Sequence, residues 1–74
     1  MTDRKLPTGV KIIDKEPVEV SNPYTGETVT LQPDAVAVYD FVKGSEALEH
    51  YNDLREGLDW FREHEPEAYM TLLD

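Results

Sequence analysis

Apolar and polar residues alternate on both sides of a short turn sequence. Val18 and Val20 alternate with polar neighbours, and so do Val29 and Leu31. A period of two is typical of strands with one buried face. Residues 22–26, Asn-Pro-Tyr-Thr-Gly, supply the residue types that a four- or five-residue hairpin loop requires. The pattern therefore predicts a β-hairpin whose valines and Leu31 face inward.

A nearly continuous apolar run follows the hairpin. Pro33 suits the first position of a helix, where its missing amide is not needed, and Asp34 complements the positive end of the helix dipole. We expect this helix to end at Gly44. Apolar residues cover nearly its whole circumference, which predicts burial on several sides. Its β-branched content leaves a buried strand as the alternative.

Two further helices are predicted in the second half of the chain. Ser45 is a good N-cap for a helix that has Glu46 in its first turn and runs to about His64, before Pro66 interrupts it. A single apolar stripe along this helix contains Ala47, Tyr51, Leu54, Leu58 and Phe61. A last short helix begins at Pro66 and carries Ala68, Tyr69, Met70, Leu72 and Leu73.

These elements predict an α+β fold in which an N-terminal β-hairpin is followed by three short helices. A flexible arm over residues 1–9 precedes a single small domain over residues 10–74. Val10, Ile12 and Ile13 form a short apolar patch that would allow a third, edge strand. A chain of 74 residues holds one modest core, so a partner or self-association would add to its stability.

Composition narrows the cellular setting. The chain has no cysteine, which excludes disulfides and thiolate zinc sites and indicates a reducing compartment. No apolar run approaches the roughly 20 residues of a membrane span, and the first residues lack the apolar segment of a signal peptide. We expect a soluble protein of the cytoplasm.

Charge is distributed unevenly along the chain. Sixteen acidic residues against seven basic ones give a net charge of −9. Residues 1–31 hold five acids and four bases, whereas residues 32–74 hold eleven acids and three bases. A protein with this much negative charge repels nucleic acid and anionic membranes and attracts basic protein surfaces. We therefore expect neither nucleic acid nor a membrane as a direct partner.

A helical wheel gathers much of this charge on one face of the predicted second helix. Trp60 falls inside the same arc. Such a surface suits docking onto a basic partner, because charges steer the encounter and a large aromatic side chain supplies affinity. The predicted partner-binding residues are Glu46, Glu49, Asp53, Glu56, Asp59, Trp60 and Glu63. Two alternatives remain: a solvated face with Trp60 in the core, and a stripe of carboxylates that imitates the phosphates of a nucleic acid.

The sequence offers little for catalysis or metal binding. His50 and His64 are separated by 14 residues, about 21 Å along a continuous helix, so they do not share an ion. The two serines are explained by a strand end and a helix cap, and no glycine-rich phosphate loop is present. We expect no enzyme activity, no metal site and no cofactor.

Four segments together resemble small uncharacterised proteins of tailed bacteriophages. They cover residues 22–27, 35–41, 57–62 and 68–74, so the resemblance spans about residues 21–74. It implies a phage-encoded protein in the cytoplasm of an infected bacterium. Such proteins often bind host machinery, including defence nucleases and RNA polymerase, and inhibit or redirect it. The resemblance assigns no functional residues.

Two functions follow as expectations. In the first, the acidic face docks on a basic surface of a host protein, such as a nucleic-acid-binding or defence protein, and inhibits or redirects it, for instance by blocking its nucleic-acid-binding site. In the second, the protein has a structural or assembly role, and apolar residues such as Trp60, Tyr69 and Met70 form a homo-oligomer or join a virion.

Overall fold

The computed structural model describes residues 5–7, 9–13 and 15–73. Its elements follow the predicted α+β order, a two-stranded antiparallel hairpin and then helices. They are β1 (Val18–Ser21), β2 (Thr28–Leu31), α1 (Pro33–Ala47), α2 (Tyr51–His64), α3 (Pro66–Ala68) and a π-helical turn (Tyr69–Leu73). The predicted fold class is confirmed.

The predicted hairpin is present, with its loop at the predicted residues. Val18 pairs with Leu31 and Val20 with Val29, so these side chains share the face that packs on the helices. Asn22 shapes the loop: its side-chain oxygen accepts the amide of Tyr24 at 2.8 Å. Among the described residues no third strand accompanies the hairpin, and the residues 10–13 proposed for it have no regular structure.

Helix α1 is a helix and not the alternative buried strand, and it begins at Pro33 as predicted. The predicted end at Gly44 is wrong, because α1 continues to Ala47. Ser45 is a buried residue within the helix and does not cap the next one. A glycine weakens a helix by about 1 kcal/mol, and here the packing of the neighbouring residues outweighs that preference.

The turn after α1 is closed by backbone hydrogen bonds around Glu49. The amide of His50 donates to the carbonyl of Ser45 at 2.8 Å, and the amide of Glu49 donates to Glu46 at 3.2 Å. These two bonds form a Schellman motif, which requires a left-handed residue after the helix. Glu49 occupies that position with a φ of 58°.

Helix α2 therefore begins later than predicted, with His50 as its N-cap residue. It ends at His64, as predicted. The shift removes Ala47 from the apolar stripe of α2, and both Ala47 and Tyr51 are exposed. Only the later part of the stripe reaches the core: Phe61 is fully buried, and Leu54 and Leu58 are half-buried.

The core lies between the hairpin, α1, α2 and the C-terminal helical segment. Leu31, Val38 and Phe61 are its largest fully buried side chains. The C-terminal segment closes the core with Ala68 and Leu72. It is also tied to the hairpin, because the Asn22 side-chain amide donates to the carbonyl of Thr71 at 2.9 Å.

Residues 5–7 lie against α2, although the sequence predicts a flexible arm over residues 1–9. Pro7 is buried and Leu6 is half-buried against the core. Residues 1–4 and 8 of that predicted arm lie outside the described residues. In the part of the chain that is described, no helix has the length and apolar character needed to cross a bilayer.

Candidate functional site

Four of the predicted carboxylates share the solvent side of α2. We call them the acidic face: Asp53, Glu56, Asp59 and Glu63, all exposed. At 100° per residue they fall within an arc of about 120°, and they extend over about 15 Å of the helix axis. The helical geometry therefore keeps these four together, as the sequence predicts.

Glu46 and Glu49 do not belong to this face. Glu46 lies in the last turn of α1, and Glu49 lies in the turn between the two helices. The prediction of six carboxylates on one helix is wrong because it rests on a helix start at Ser45. Glu49 instead accepts a hydrogen bond from the Tyr51 hydroxyl at 3.0 Å.

Trp60 lies in the core and is only 6% exposed. Its indole N–H donates to the carbonyl of Lys5 at 2.7 Å, a bond between residues 55 positions apart. Its ring contacts Phe61 edge-on with centroids 5.5 Å apart, and the His64 ring at 4.9 Å. Trp60 is therefore not an exposed docking residue, and for this side chain the core alternative is correct.

A groove of about 570 Å³ separates residues 5–7 from α2 and contains most of the acidic face. We call it the acidic groove. The sequence predicts Trp60 and its three carboxylates as binding residues, but it does not indicate the opposite wall or His64. The groove is lined by Lys5, Leu6, Pro7, Glu56, Asp59, Trp60, Glu63 and His64.

The groove is negatively charged at its α2 wall. Among the described residues, its lining includes three carboxylates and one lysine, Lys5. Asp59 also forms an ion pair with Arg62 at 3.7 Å, but both side chains are 62% exposed. Pairs this exposed contribute little to stability and leave the carboxylate available to a stronger partner. The arrangement is suited to binding ammonium or guanidinium groups from another molecule.

The described lining of the groove carries carboxylates, an amine and an imidazole as its ionisable groups. None of the lining residues that the structure describes is a serine, threonine or cysteine, the usual hydroxyl and thiol nucleophiles. Among the described residues, no three acidic or histidine side chains converge as a metal site would require. His50 and His64 lie at opposite ends of α2. No model of a protein family, no curated protein and no solved structure matches this chain.

Proposed function

We propose that this chain is a small acidic binding protein that docks on a basic surface of another protein through the acidic groove. The observation that carries the proposal is the arrangement of Glu56, Asp59 and Glu63 along one wall of an open groove. The net charge of −9 favours approach of a basic partner, because the field of the whole molecule attracts it before contact.

The burial of Trp60 changes how the surface would gain affinity. A fully exposed tryptophan would act as an anchor inserted into the partner. Here the indole is part of the groove's interior, so the partner would contribute the inserted group. A lysine or arginine side chain fits this role, because its aliphatic part can pack on Leu6 and Pro7 while its charge meets the carboxylates.

The partner class that fits best is a protein that itself binds nucleic acid. The acidic face places four carboxylates along about 15 Å, a length over which one strand of B-DNA carries about four phosphates. Occupation of a nucleic-acid site would inhibit or redirect such a protein. In the bacteriophage setting that the sequence resembles, that protein belongs to the host and the complex forms in the bacterial cytoplasm.

Charge reversal in the groove tests the proposal. A variant with Glu56, Asp59 and Glu63 changed to lysine is compared with the native chain in affinity capture from bacterial lysate, and captured proteins are identified by mass spectrometry. The affinity of the captured protein is then measured by calorimetry. We expect the variant to bind about 30-fold more weakly or worse, since three exposed charge pairs contribute about 0.2–1 kcal/mol each and reversal adds repulsion.

The matched control reverses three carboxylates in the N-terminal half, Glu16, Glu19 and Glu27, all exposed. It has the same net charge as the groove variant, so any loss that depends only on total charge appears in both. The proposal predicts loss in the groove variant alone, weaker binding at high salt, and competition by DNA or RNA. Equal binding by all three chains would contradict it.

The structural or assembly role stands as the second candidate, with a different surface. Trp60 is buried and Tyr69 is half-buried, so of the three apolar residues proposed for that role only Met70 is largely exposed, at 68%. Three half-buried leucines, Leu54, Leu58 and Leu73, are more suitable for self-association, and they do not line the acidic groove.

A further inference from the structure

A second groove of about 280 Å³ lies between α1, α2, the C-terminal segment and the hairpin loop. We call it the apolar groove. Leu54, Leu58, Leu72 and Leu73 line its apolar side, and polar residues including Asn22, Lys43 and Glu46 line the rest. Among the described residues it shares no lining residue with the acidic groove. Three of these leucines are only half-buried, so the groove presents apolar surface that a matching side chain would cover.

The charged lining residues of the apolar groove come from the end of α1. Lys43 and Glu46 both line it and are exposed. The Lys43 ammonium lies over the Tyr39 ring, 5.7 Å from its centroid. Glu46 is the acidic residue among the described lining residues, so its carboxylate is the group that a basic residue would recognise here.

The same chain carries a segment with complementary chemistry. Over residues 10–13, Val10 packs on the core, whereas Lys11 is exposed and Ile13 is 85% exposed. Lys11 and Ile13 lie two residues apart in a stretch without regular structure, and Ile12 between them is also exposed, at 52%, so all three side chains are open to a partner. Covering an exposed aliphatic side chain with a partner's surface lowers the free energy of the system and so favours binding.

Residues 1–15, which contain this segment, differ in charge from the rest of the chain. Residues 1–15 hold four bases and two acids, whereas residues 16–74 hold three bases and fourteen acids. The N-terminal segment of one copy is thus attracted to the helical part of another. The overall negative charge opposes association, but salt screens it beyond about 8 Å at physiological ionic strength. Contacts within the interface therefore determine whether two copies associate.

We propose that the apolar groove binds the N-terminal segment of a second copy. Ile13 of one copy enters the groove between Leu54, Leu58 and Leu73, and Lys11 pairs with Glu46. The contact is reciprocal in a two-fold dimer, in which each copy supplies one segment and one groove. The apolar groove lies on the other side of α2 from the acidic groove, while the segment that binds it follows residues 5–7, which line the acidic groove.

Ile13 provides the first test. The mass of the native chain is measured by sedimentation equilibrium over a wide concentration range, and compared with that of Ile13→Ser. We expect a concentration-dependent dimer whose dissociation constant rises roughly 100-fold in the variant, since each of the two symmetric contacts loses about ten-fold. Circular dichroism confirms that the variant is folded, as expected for an exposed position.

A charge exchange provides the second test. Lys11→Glu and Glu46→Lys should each weaken the dimer several-fold, and the double variant should recover most of the loss. Arg55→Glu and Glu19→Lys are the matched controls, because they make the same changes in net charge at exposed positions that do not line the groove. Neither control should alter the dimer beyond a general effect of charge.

Two results would overturn the proposal. A native chain that remains monomeric at every concentration would show that a second copy is not the occupant, and would leave the groove to a foreign protein. A dimer that is unaffected by Ile13→Ser and by both charge reversals would place self-association on another surface. Either result leaves the basic-partner proposal standing, since its groove is untouched by these variants.

Discussion

At the level of single residues, Glu49 closes the turn between α1 and α2 in a conformation that suits glycine better. Its φ of 58° lies in the left-handed region, which costs a residue with a Cβ atom roughly 1–2 kcal/mol. The Schellman hydrogen bonds to Ser45 and Glu46 hold it there. The strain at this one backbone position therefore lowers the stability of the helix pair.

Glu49→Gly should stabilise the fold. Glycine removes the left-handed strain but loses more entropy on folding and deletes the exposed contact with Tyr51, so we expect a gain of about 0.5–1 kcal/mol. Urea denaturation followed by circular dichroism measures the free energy of unfolding. Asp40→Gly is the charge-matched control, and it should destabilise by a few tenths of a kcal/mol because Asp40 is an exposed residue within α1, where glycine is the poorer helix former. A destabilised Glu49→Gly would show that the motif is not strained.

At the level of elements, the packing of α1 on α2 depends on a close approach at Gly57. A Cβ atom at this position would lie 2.5 Å from Cγ2 of Val42 and 3.3 Å from Cδ2 of Phe41. Real side chains do not tolerate the first distance, so the two helices would have to move apart or Val42 would have to change rotamer. Gly44 is also helical, but a Cβ there meets nothing within 4 Å.

The two helical glycines should consequently respond to alanine in opposite directions. Gly44→Ala should raise the free energy of unfolding by about 0.5–1 kcal/mol through helix propensity and a less flexible unfolded chain. Gly57→Ala should lower it by about 1–3 kcal/mol through overpacking. Thermal and urea denaturation of the two variants measure both effects. Stabilisation by Gly57→Ala would mean that the helices separate easily.

The same elements show which features the sequence predicts and which it does not. The hairpin is correct because its signals are local: alternation fixes the strands, and Asn22 and Gly26 shape the loop. The boundary between α1 and α2 is wrong because Gly44 and Ser45 resemble a stop and a start, while the actual stop is a glutamate that local preference does not favour.

The candidate site also has some features that the sequence predicts and others that it does not. The carboxylates of α2 are predictable from helical periodicity once the helix exists. The burial of Trp60 is not, because the residues that cover it are more than 50 positions away and lie in a segment without regular structure. A helical wheel records angles about one axis and contains no information on which other segment of the chain packs there.

At the level of the whole molecule, α2 separates two surfaces of different character. The acidic groove lies between its charged side and residues 5–7, and the apolar groove lies between its aliphatic side and α1. Because no residue in the described part of the chain lines both grooves, variants of one groove's lining should leave the other intact. A dimer formed through the apolar grooves would present two acidic grooves, which increases the apparent affinity for a partner with repeated basic sites.

Trp60 gives the acidic groove an intrinsic optical signal. It is the only tryptophan in the chain, and its indole is buried at the groove and hydrogen-bonded to Lys5. We expect emission at short wavelength and weak quenching by acrylamide in the free protein. A partner that enters the groove or displaces residues 5–7 changes the surroundings of this indole. The Ile13→Ser variant lacks the proposed dimer contact, so titrating it beside the native chain separates that change from any effect of dimerisation on the fluorescence of the unlabelled protein.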